Sequence, residues 1–503
     1  MSSKKHSSGK KGPGNRRHSS HSHGSHSGHG KYAKVKNLPG KLLVLIQLLM
    51  TVLFIVVVWS GGMVPGKYLA VLTIVLFVLF GALFAMQYLK SRIYILGIVI
   101  SLLISLGLGV ASFYMLRADQ MLADVGGATY KTDNMIVVVR ADDASENILD
   151  AQNYTFGIQT SLDQENNQKM VEDLTHVLGK EPDLSEYVNV QAEAQALLDG
   201  EIGAAIYNEA FTGIIEDSIE GYSDQVKILY QYGIDTEIAQ PEENQNVEEP
   251  FNIYISGIDV SGSITTNSRS DVNIIMTVNP NTHKILLSTT PRDYYVTIPG
   301  VSGEQRDKLT HAGIYGVDVS MATLENLYGI DISYYARVNF TSLIKIVDAL
   351  GGVEVQSEYA FSAGGYSFQE GTNYLNGEQA LAFSRERYSF SGGDNQRGKN
   401  QEAVLTGILQ KAMSPAILTN ASALITSVSD SVETNMTRQE MAKFINMQLS
   451  DGASWTIEST AAVGTGDNQA CYSSGSQLLY VMWPDEASVS EISTKMQQVL
   501  NGE

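Results

Sequence analysis

Three runs of the chain, Leu42–Trp59, Tyr68–Met86 and Ile93–Leu116, contain no charged residue and show no polar face. At ~1.5 Å per helical residue, each is long enough to cross a ~30 Å hydrocarbon layer. The pattern therefore predicts three transmembrane helices rather than three buried helices of a water-soluble core. After Leu116 the pattern becomes shorter and more mixed. Between Asp119 and Asp235, strand-like runs at Met135–Val139 and Gly203–Tyr207 alternate with helical periodicity at Gln168–Leu178 and Gln191–Leu198, which predicts a small α/β unit. The stretch from 236 to 250 is acidic, contains proline and has no periodicity, so it reads as a linker.

From Phe251 onward, strands are predicted at Phe251–Gly257, Val272–Val278, Lys284–Thr289, Ala336–Val338 and Trp455–Ala462. Helices are predicted at Val319–Leu327, Phe340–Leu350, Asn395–Met413, Thr437–Asp451 and Val489–Leu500. This alternation indicates a layered α/β domain. The expected order is a basic tail (1–41), three spans (42–117), a small accessory α/β domain (118–235), the linker (236–250) and a C-terminal domain (251–503).

Charge sharpens the division. The 503 residues carry a net charge of −20, which on average argues against nucleic acid or an anionic membrane surface as a partner. The average conceals two opposite halves. No acidic residue precedes Asp119, so the first 117 residues sum to +14 and the remainder to −34. Ten Lys/Arg precede the first span, only Lys67 lies in the first connection, and Lys90 and Arg92 lie in the second. By the positive-inside rule the N-terminus is cytoplasmic, and residues from about 117 onward lie outside the cell. The tail is rich in Ser, Gly and His. Its His18, His21, His23, His26 and His29 permit loose metal binding, but the composition reads first as a solvated, disordered segment. One cysteine, Cys471, excludes an internal disulfide framework and a multi-thiolate metal site.

Within the acidic exterior, basic residues cluster. The windows 269–308 and 385–399 hold nine of its twenty Lys/Arg, where even scatter gives about three. Several guanidinium forks together suit a phosphate ligand. Arg385 and Arg387 share a face if their segment is extended. Arg397 and Gln401 share a helix face, and Asp394 as N-cap places Arg397 in the first turn. Arg292 follows a strand directly, a common place for ligand contacts in α/β domains. Asp259 and Asp271 sit at strand ends, where each either caps a turn or serves as a hard-oxygen ligand for a divalent cation.

In order, the segments NIYISGID, NSRSDVNIIMTVN, STTPRDYYVTIPG, DKLTHAGIYG, RVNFTSLIKIVDALGGVEV, YLNGEQALAFSRERYSF and DNQRGKNQEAVL resemble the LytR-CpsA-Psr (LCP) family, from about Phe251 to Met413. The three spans and accessory domain look like its CpsA branch, associated with capsular polysaccharide. The resemblance implies a membrane-anchored α/β protein whose C-terminal LCP domain is an α-β-α sandwich with a mixed central sheet and an apolar pocket for a polyprenyl chain. It implies a phosphotransferase moving a glycopolymer from polyprenyl diphosphate to peptidoglycan at the surface of a Gram-positive cell, alongside capsule-synthesis proteins and without nucleic acid.

Carried over by motif, Arg292, Arg385, Arg387 and Arg397 hold the diphosphate with help from Gln401. Arg269 and Lys308 join them with less defined roles, and Asp259 and Asp271 hold Mg²⁺ or Mn²⁺. Many relatives have a second arginine where this chain has Asn400, and the neighbouring Lys399 is the expected substitute. A metal-bound carboxylate is a poor base, so the proton acceptor stays unassigned. His311 reads as a structural histidine satisfied by backbone before it reads as that base. Two other functions fit the same residues: hydrolysis of the lipid-linked diphosphate, and a non-enzymatic lipid sensor regulating capsule synthesis.

Overall fold

The computed structural model describes residues 38–89, 93–127, 130–237, 247–258, 264–390, 393–414 and 432–503. The His-rich tail, most of the acidic linker and Asp259 lie outside them. The described residues fall into two compact units, one within residues 38–52 and 73–109 and the other within residues 53–72 and 110–503.

Three apolar helices, α1 (Leu38–Gly61), α2 (Gly66–Met86) and α3 (Ile93–Val125), are long and apolar enough to span a membrane. Large apolar side chains such as Leu49, Val71 and Leu103 stand exposed on them, as lipid-facing helices require. The third helix runs nine residues beyond the predicted end. Its polar continuation (RADQMLADV) is built largely of good helix formers, so the helix outlasts its apolar run. In the second unit, the turn between α1 and α2 rests on the later helix Arg438–Asp451. Lys67 Nζ donates to the Ser450 carbonyl at 2.6 Å, and Asn446 Nδ2 donates to that of Gly62 at 2.8 Å.

The small domain holds a five-stranded mixed sheet of β1 (Tyr130–Arg140), β2 (Thr155–Gln159), β3 (Asp183–Tyr187), β4 (Ala204–Asn208) and β5 (Val226–Glu237), in the order β3-β2-β4-β1-β5. The run Met135–Val139 is apolar throughout because both of its faces are covered. Met135, Val137 and Val139 pack with Met170 and Leu174 of α4 (Gln164–Leu178). Ile136 and Val138 pack with Val190, Ala194 and Leu197 of α5 (Val190–Asp199) on the other face. Strand β5 takes in Thr236 and Glu237, the first two residues of the predicted linker.

The C-terminal domain is built on six strands, β6 (Phe251–Ile258), β7 (Ser270–Asn279), β8 (Lys284–Thr289), β11 (Tyr334–Asn339), β16 (Val432–Thr434) and β17 (Thr456–Ala461), in the order β16-β11-β6-β7-β8-β17. The short strands β9 (Tyr295–Thr297) and β10 (Arg306–Lys308), and β13 (Phe361–Ala363) and β14 (Tyr366–Phe368), form separate pairs. Pairs β11–β6 and β17–β8 are parallel and the others antiparallel, so the sheet is mixed. Alternate residues of the central strands enter two cores. Tyr254, Ile275 and Leu286 meet α6 (Val317–Tyr328) and the last helix, Glu486–Asn501. Ile253, Ile274 and Ile285 meet Leu405 and Leu409 of the helix Asp394–Ala412 and Phe444 of the helix Arg438–Asp451. Each such side chain contributes roughly 1.5–3 kcal/mol on burial, and together they fix an α-β-α sandwich.

At the sheet edge, Arg337 of β11 is 2% exposed and faces its register partner Glu433 of β16, with Nη1 3.5 Å from Oε1. Its Nη2 donates to the Thr266 carbonyl at 2.7 Å. A satellite core joins α7 (Phe340–Ala349), the hairpin strands β12 (Val353–Ser357) and β15 (Gly371–Leu375), and α8 (Gly377–Arg385), through Val347, Val355, Leu375 and Phe383.

Candidate active site

The helix Asp394–Ala412, here α9, crosses the ends of β8 and β17, and a cavity lies beneath its first turns. Asp271 and Asn273 enter it from β7, and Thr289, Thr290, Pro291 and Arg292 from the end of β8. Arg397, Gly398 and Gln401 come from α9, and Ala461 from the end of β17. Gly398 permits this approach, because a Cβ there would stand 2.9 Å from Thr289 Cγ2. The free volume is only about 10 Å³, room for roughly one water.

Asp271 and Arg292 are the electrostatic centre. Arg292 Nη1 stands 3.0 Å from Asp271 Oδ2, with about a fifth or less of either side chain exposed. Thr310 Oγ1 donates to Asp271 Oδ1 at 3.0 Å, while its amide holds the Arg292 carbonyl at 2.9 Å. Burial alone would raise the Asp271 pKa. The charges of Arg292, Arg269 and Arg397 outweigh it, and the carboxyl is held below its ordinary range. Asp293, also nearly buried, lies between Arg292 Nε at 3.8 Å and Lys308 Nζ at 3.5 Å.

The expected residues are thus divided. Arg292, Asp271, Arg397 and Gln401 meet at the cavity. Arg269 and Lys308 stand behind it, paired with Asp217 of the small domain at 3.7 and 3.1 Å. Arg385 and Arg387 lie outside its lining, and the condition for a shared face, an extended segment, is not met. Arg385 ends α8 and places its guanidinium over the Phe340 ring, 4.2 Å from the centroid. Arg387 follows the helix and lies over Tyr388, with Nη2 2.5 Å from that hydroxyl.

The start of α9 also differs from expectation. Gly393, with φ 50°, is the N-cap and Asp394 is the first helical residue. The Arg397 amide is therefore already bonded, to the Gly393 carbonyl at 3.2 Å. Lys399 does not replace the missing arginine, because it pairs with Glu358 at 3.0 Å on the opposite face of α9. Asn400 is buried; it donates to the Phe383 carbonyl at 3.1 Å and accepts from Gln396 at 3.2 Å.

That opposite face borders a wider polar cavity of about 300 Å³, lined by Gln356, Glu358, Lys399, Glu402, Ser459 and Thr460 among others. Glu402 accepts from the Thr289 hydroxyl at 2.7 Å, and burial pushes its pKa up to about 8. His311 is fully buried. Its Nδ1 is 2.6 Å from Asp307 Oδ1 and 3.0 Å from Ser473 Oγ, so its partners there are side chains and not the backbone. Asp217 had no signal in spacing, because tertiary packing alone brings it to the site; Asn273, by contrast, lies two residues from Asp271 on one strand face, and Asp293 and Glu402 adjoin Arg292 and Gln401.

Asp271 suits a hard divalent cation: it is ionised, borders the cavity and has amide and hydroxyl oxygens nearby. No group of three or more His, Cys, Asp or Glu arranged for a metal occurs among the described residues.

Fold and site together define a membrane-anchored α-β-α protein with an arginine-lined cavity at its strand ends. A family model, the LytR_cpsA_psr family, matches residues 218–498, and the chain belongs to that family. Among curated relatives, the polyisoprenyl-teichoic acid–peptidoglycan teichoic acid transferase TagU of Enterococcus faecalis is 40% identical over 202 residues, covering 40% of this chain and 66% of that protein. TagU of Bacillus anthracis is 36% identical over 216 residues, covering 41% of this chain and 70% of the relative. The crystal structure of B. subtilis TagU aligns with 50% of this chain and 97% of that one, at 31% identity and a TM-score of 0.40.

Proposed function

We propose that this protein is a glycopolymer–peptidoglycan phosphotransferase that takes its donor from a polyprenyl diphosphate carrier. The observation that carries the reading is the Arg292–Asp271 pair at a strand-end cavity shared with Arg397 and Gln401, in a chain whose named relatives are transferases of this kind. In the reaction, a peptidoglycan hydroxyl oxygen forms a bond to the phosphorus adjoining the glycopolymer. The bond from that phosphorus to the bridging oxygen breaks, polyprenyl phosphate leaves, and the hydroxyl proton passes to a base or to solvent. Such transfer depends on position and charge stabilisation. Arg292 and Arg397 supply charge at the transferring and leaving oxygens, Gln401 donates beside them, and Asp271 keeps the Arg292 fork oriented. Asp271 with Asp259 would hold Mg²⁺ or Mn²⁺, which when bound neutralises phosphate charge. Arg385 and Arg387 bind the outer part of the head group.

The polymer is a capsular polysaccharide, and capsule-synthesis proteins are partners. The N-terminus is cytoplasmic and the C-terminal domain external. This topology is supported by the basic tail and by the α1–α2 turn, which contacts the helix Arg438–Asp451 and so shares its side of the membrane. The test uses purified full-length protein, a lipid-diphosphate-linked glycan and peptidoglycan. Labelled glycan appearing on peptidoglycan with release of polyprenyl phosphate supports the reading. Free phosphorylated glycan as the sole product, with acceptor present, would assign hydrolysis instead.

A further inference from the structure

The small domain is joined to the segment that leads into the cavity. The start of β1 forms a parallel bridge with residues 265–267: the Thr132 amide donates to the Thr265 carbonyl at 3.1 Å, and the Asn267 amide donates to that of Thr132 at 2.9 Å. Asn267 Nδ2 also donates to Asp133 Oδ1 at 3.0 Å. Two residues on, Arg269 turns back to the small domain, where its Nη1 donates to the Gly213 carbonyl at 3.3 Å. A side chain at Gly213 would put its Cβ 2.4 Å from the Arg269 guanidinium carbon, so the close approach depends on that glycine.

Just past the short helix Thr212–Glu216, Asp217 faces Arg269 at 3.7 Å, Lys308 Nζ at 3.1 Å and His311 Nε2 at 4.0 Å. Lys308 is 7% exposed and also meets Asp293, which in turn meets Arg292, the partner of Asp271. The charges therefore alternate in one continuous row: Asp217, Lys308, Asp293, Arg292, Asp271. The first carboxylate belongs to the small domain and the last borders the cavity. Without Asp217, Lys308 keeps Asp293 as its carboxylate neighbour and competes with Arg292 for it.

We infer that Asp217 is a positioning residue for phosphoryl transfer: it fixes Lys308 and Arg269 and, through Asp293, the guanidinium of Arg292, so that two domains build one site. This rests on the transferase reading above. The tests use the full chain in detergent, with geranylgeranyl diphosphate as binding probe and a lipid-diphosphate-linked disaccharide with peptidoglycan for turnover.

D217A and the isosteric D217N are expected to lower kcat about ten- to a hundredfold with KM within about threefold, because misplacing a charge clamp costs the transition state more than the ground state. D217E restores kcat to within about fivefold of wild type by returning the carboxylate. G213A, which suits a helix but intrudes on Arg269, lowers kcat about three- to tenfold and decides the matter if the Asp217 variants unfold. K131A breaks a different contact between the same domains, Lys131 to Asp318 at 3.1 Å, and is expected to leave kcat unchanged.

Folded D217N with kcat within twofold of wild type overturns the inference. Equal losses in K131A and D217N also overturn it, by showing that docking alone matters. If wild type neither binds geranylgeranyl diphosphate nor transfers glycan, the functional reading itself fails. If it does both and D217N matches it, only the role of Asp217 fails.

Discussion

Replacing Arg292 separates charge from geometry at the cavity. The side chain meets Asp271 through Nη1 at 3.0 Å and Asp293 through Nε at 3.8 Å, and a lysine ammonium cannot reproduce that fork. In R292A, Asp271 keeps the Thr310 hydroxyl and the more distant charges of Arg269 and Arg397 but loses its nearest cation. Leaving a largely buried carboxylate without its charged partner costs about 2 kcal/mol, a lowering of Tm of roughly 4–8 °C in a domain of this size.

The effect on transfer is expected to be larger. Losing one preorganised donor to a developing oxyanion costs about 10²–10³ in kcat, or roughly 3–4 kcal/mol. R292K should recover no more than about tenfold of that loss. The depressed pKa gives a further check. Asp271 contributes stability that is present above its unfolded value near 3.9 and lost as pH falls through its lower folded value. R292A should therefore melt at higher pH than wild type in an acid titration. Turnover of a labelled lipid-linked glycan and circular dichroism melts measure both quantities. R292A within threefold of wild-type turnover would refute the assignment, and R292K equal to wild type would show that charge suffices without the fork.

Four further outcomes are expected. Glu402, with its pKa raised to about 8, stays protonated in the fold while the unfolded chain ionises near 4.5. Stability should thus fall with rising pH across that window, by up to about 5 kcal/mol, and E402Q should flatten the pH dependence of Tm. R337A should destabilise the fold by about 3–5 kcal/mol in urea melts, because it strands buried Glu433, whereas substituting the pair together with apolar residues should cost far less. N400A should cost about 1–2 kcal/mol by releasing the Phe383 carbonyl, while K399A, whose pair with Glu358 is half exposed, should cost under about 1 kcal/mol; thermal melts separate them. In intact cells an impermeant maleimide should label a cysteine placed at the exposed Asp142 and spare one at Ser7, with buried Cys471 silent; labelling at Ser7 would reverse the topology.

The central strands β6, β7 and β8 were legible because both faces are covered, which leaves long apolar runs with turns between them, whereas the three-residue edge strand β16 went unread. Predicted Lys284–Thr289 matches its strand, and Val272–Val278 lies within Ser270–Asn279. Spacing left open whether Arg385 and Arg387 lie on a strand or a helix, although Asn376 and Gln379 form a capping box that marks the start of α8. Spacing identified Arg397 with Gln401, since i,i+4 on a helix fixes a shared face. It gave no hint that Lys399 and Asn400 turn to the other side of α9, or that Asp217, some fifty residues before Asp271, joins the row of charges. Those facts depend on how helices lie across the sheet, and one-dimensional periodicity does not encode that.

The pairing of β17 with β8 bears on when the site first exists. Ala461, the register partner of Thr289, completes the cavity wall from 190 residues beyond Asp271. A growing chain can assemble β6, β7 and β8 long before β17 emerges, and until then β8 is an unpaired edge next to an open cleft. Such late, long-range closure is slow, and an exposed edge of this kind recruits other strands. Chains cut short before Thr456 should therefore aggregate as well as lack activity. The cavity is walled only once synthesis has passed Ala461, so growing chains that have not reached β17 hold no complete site.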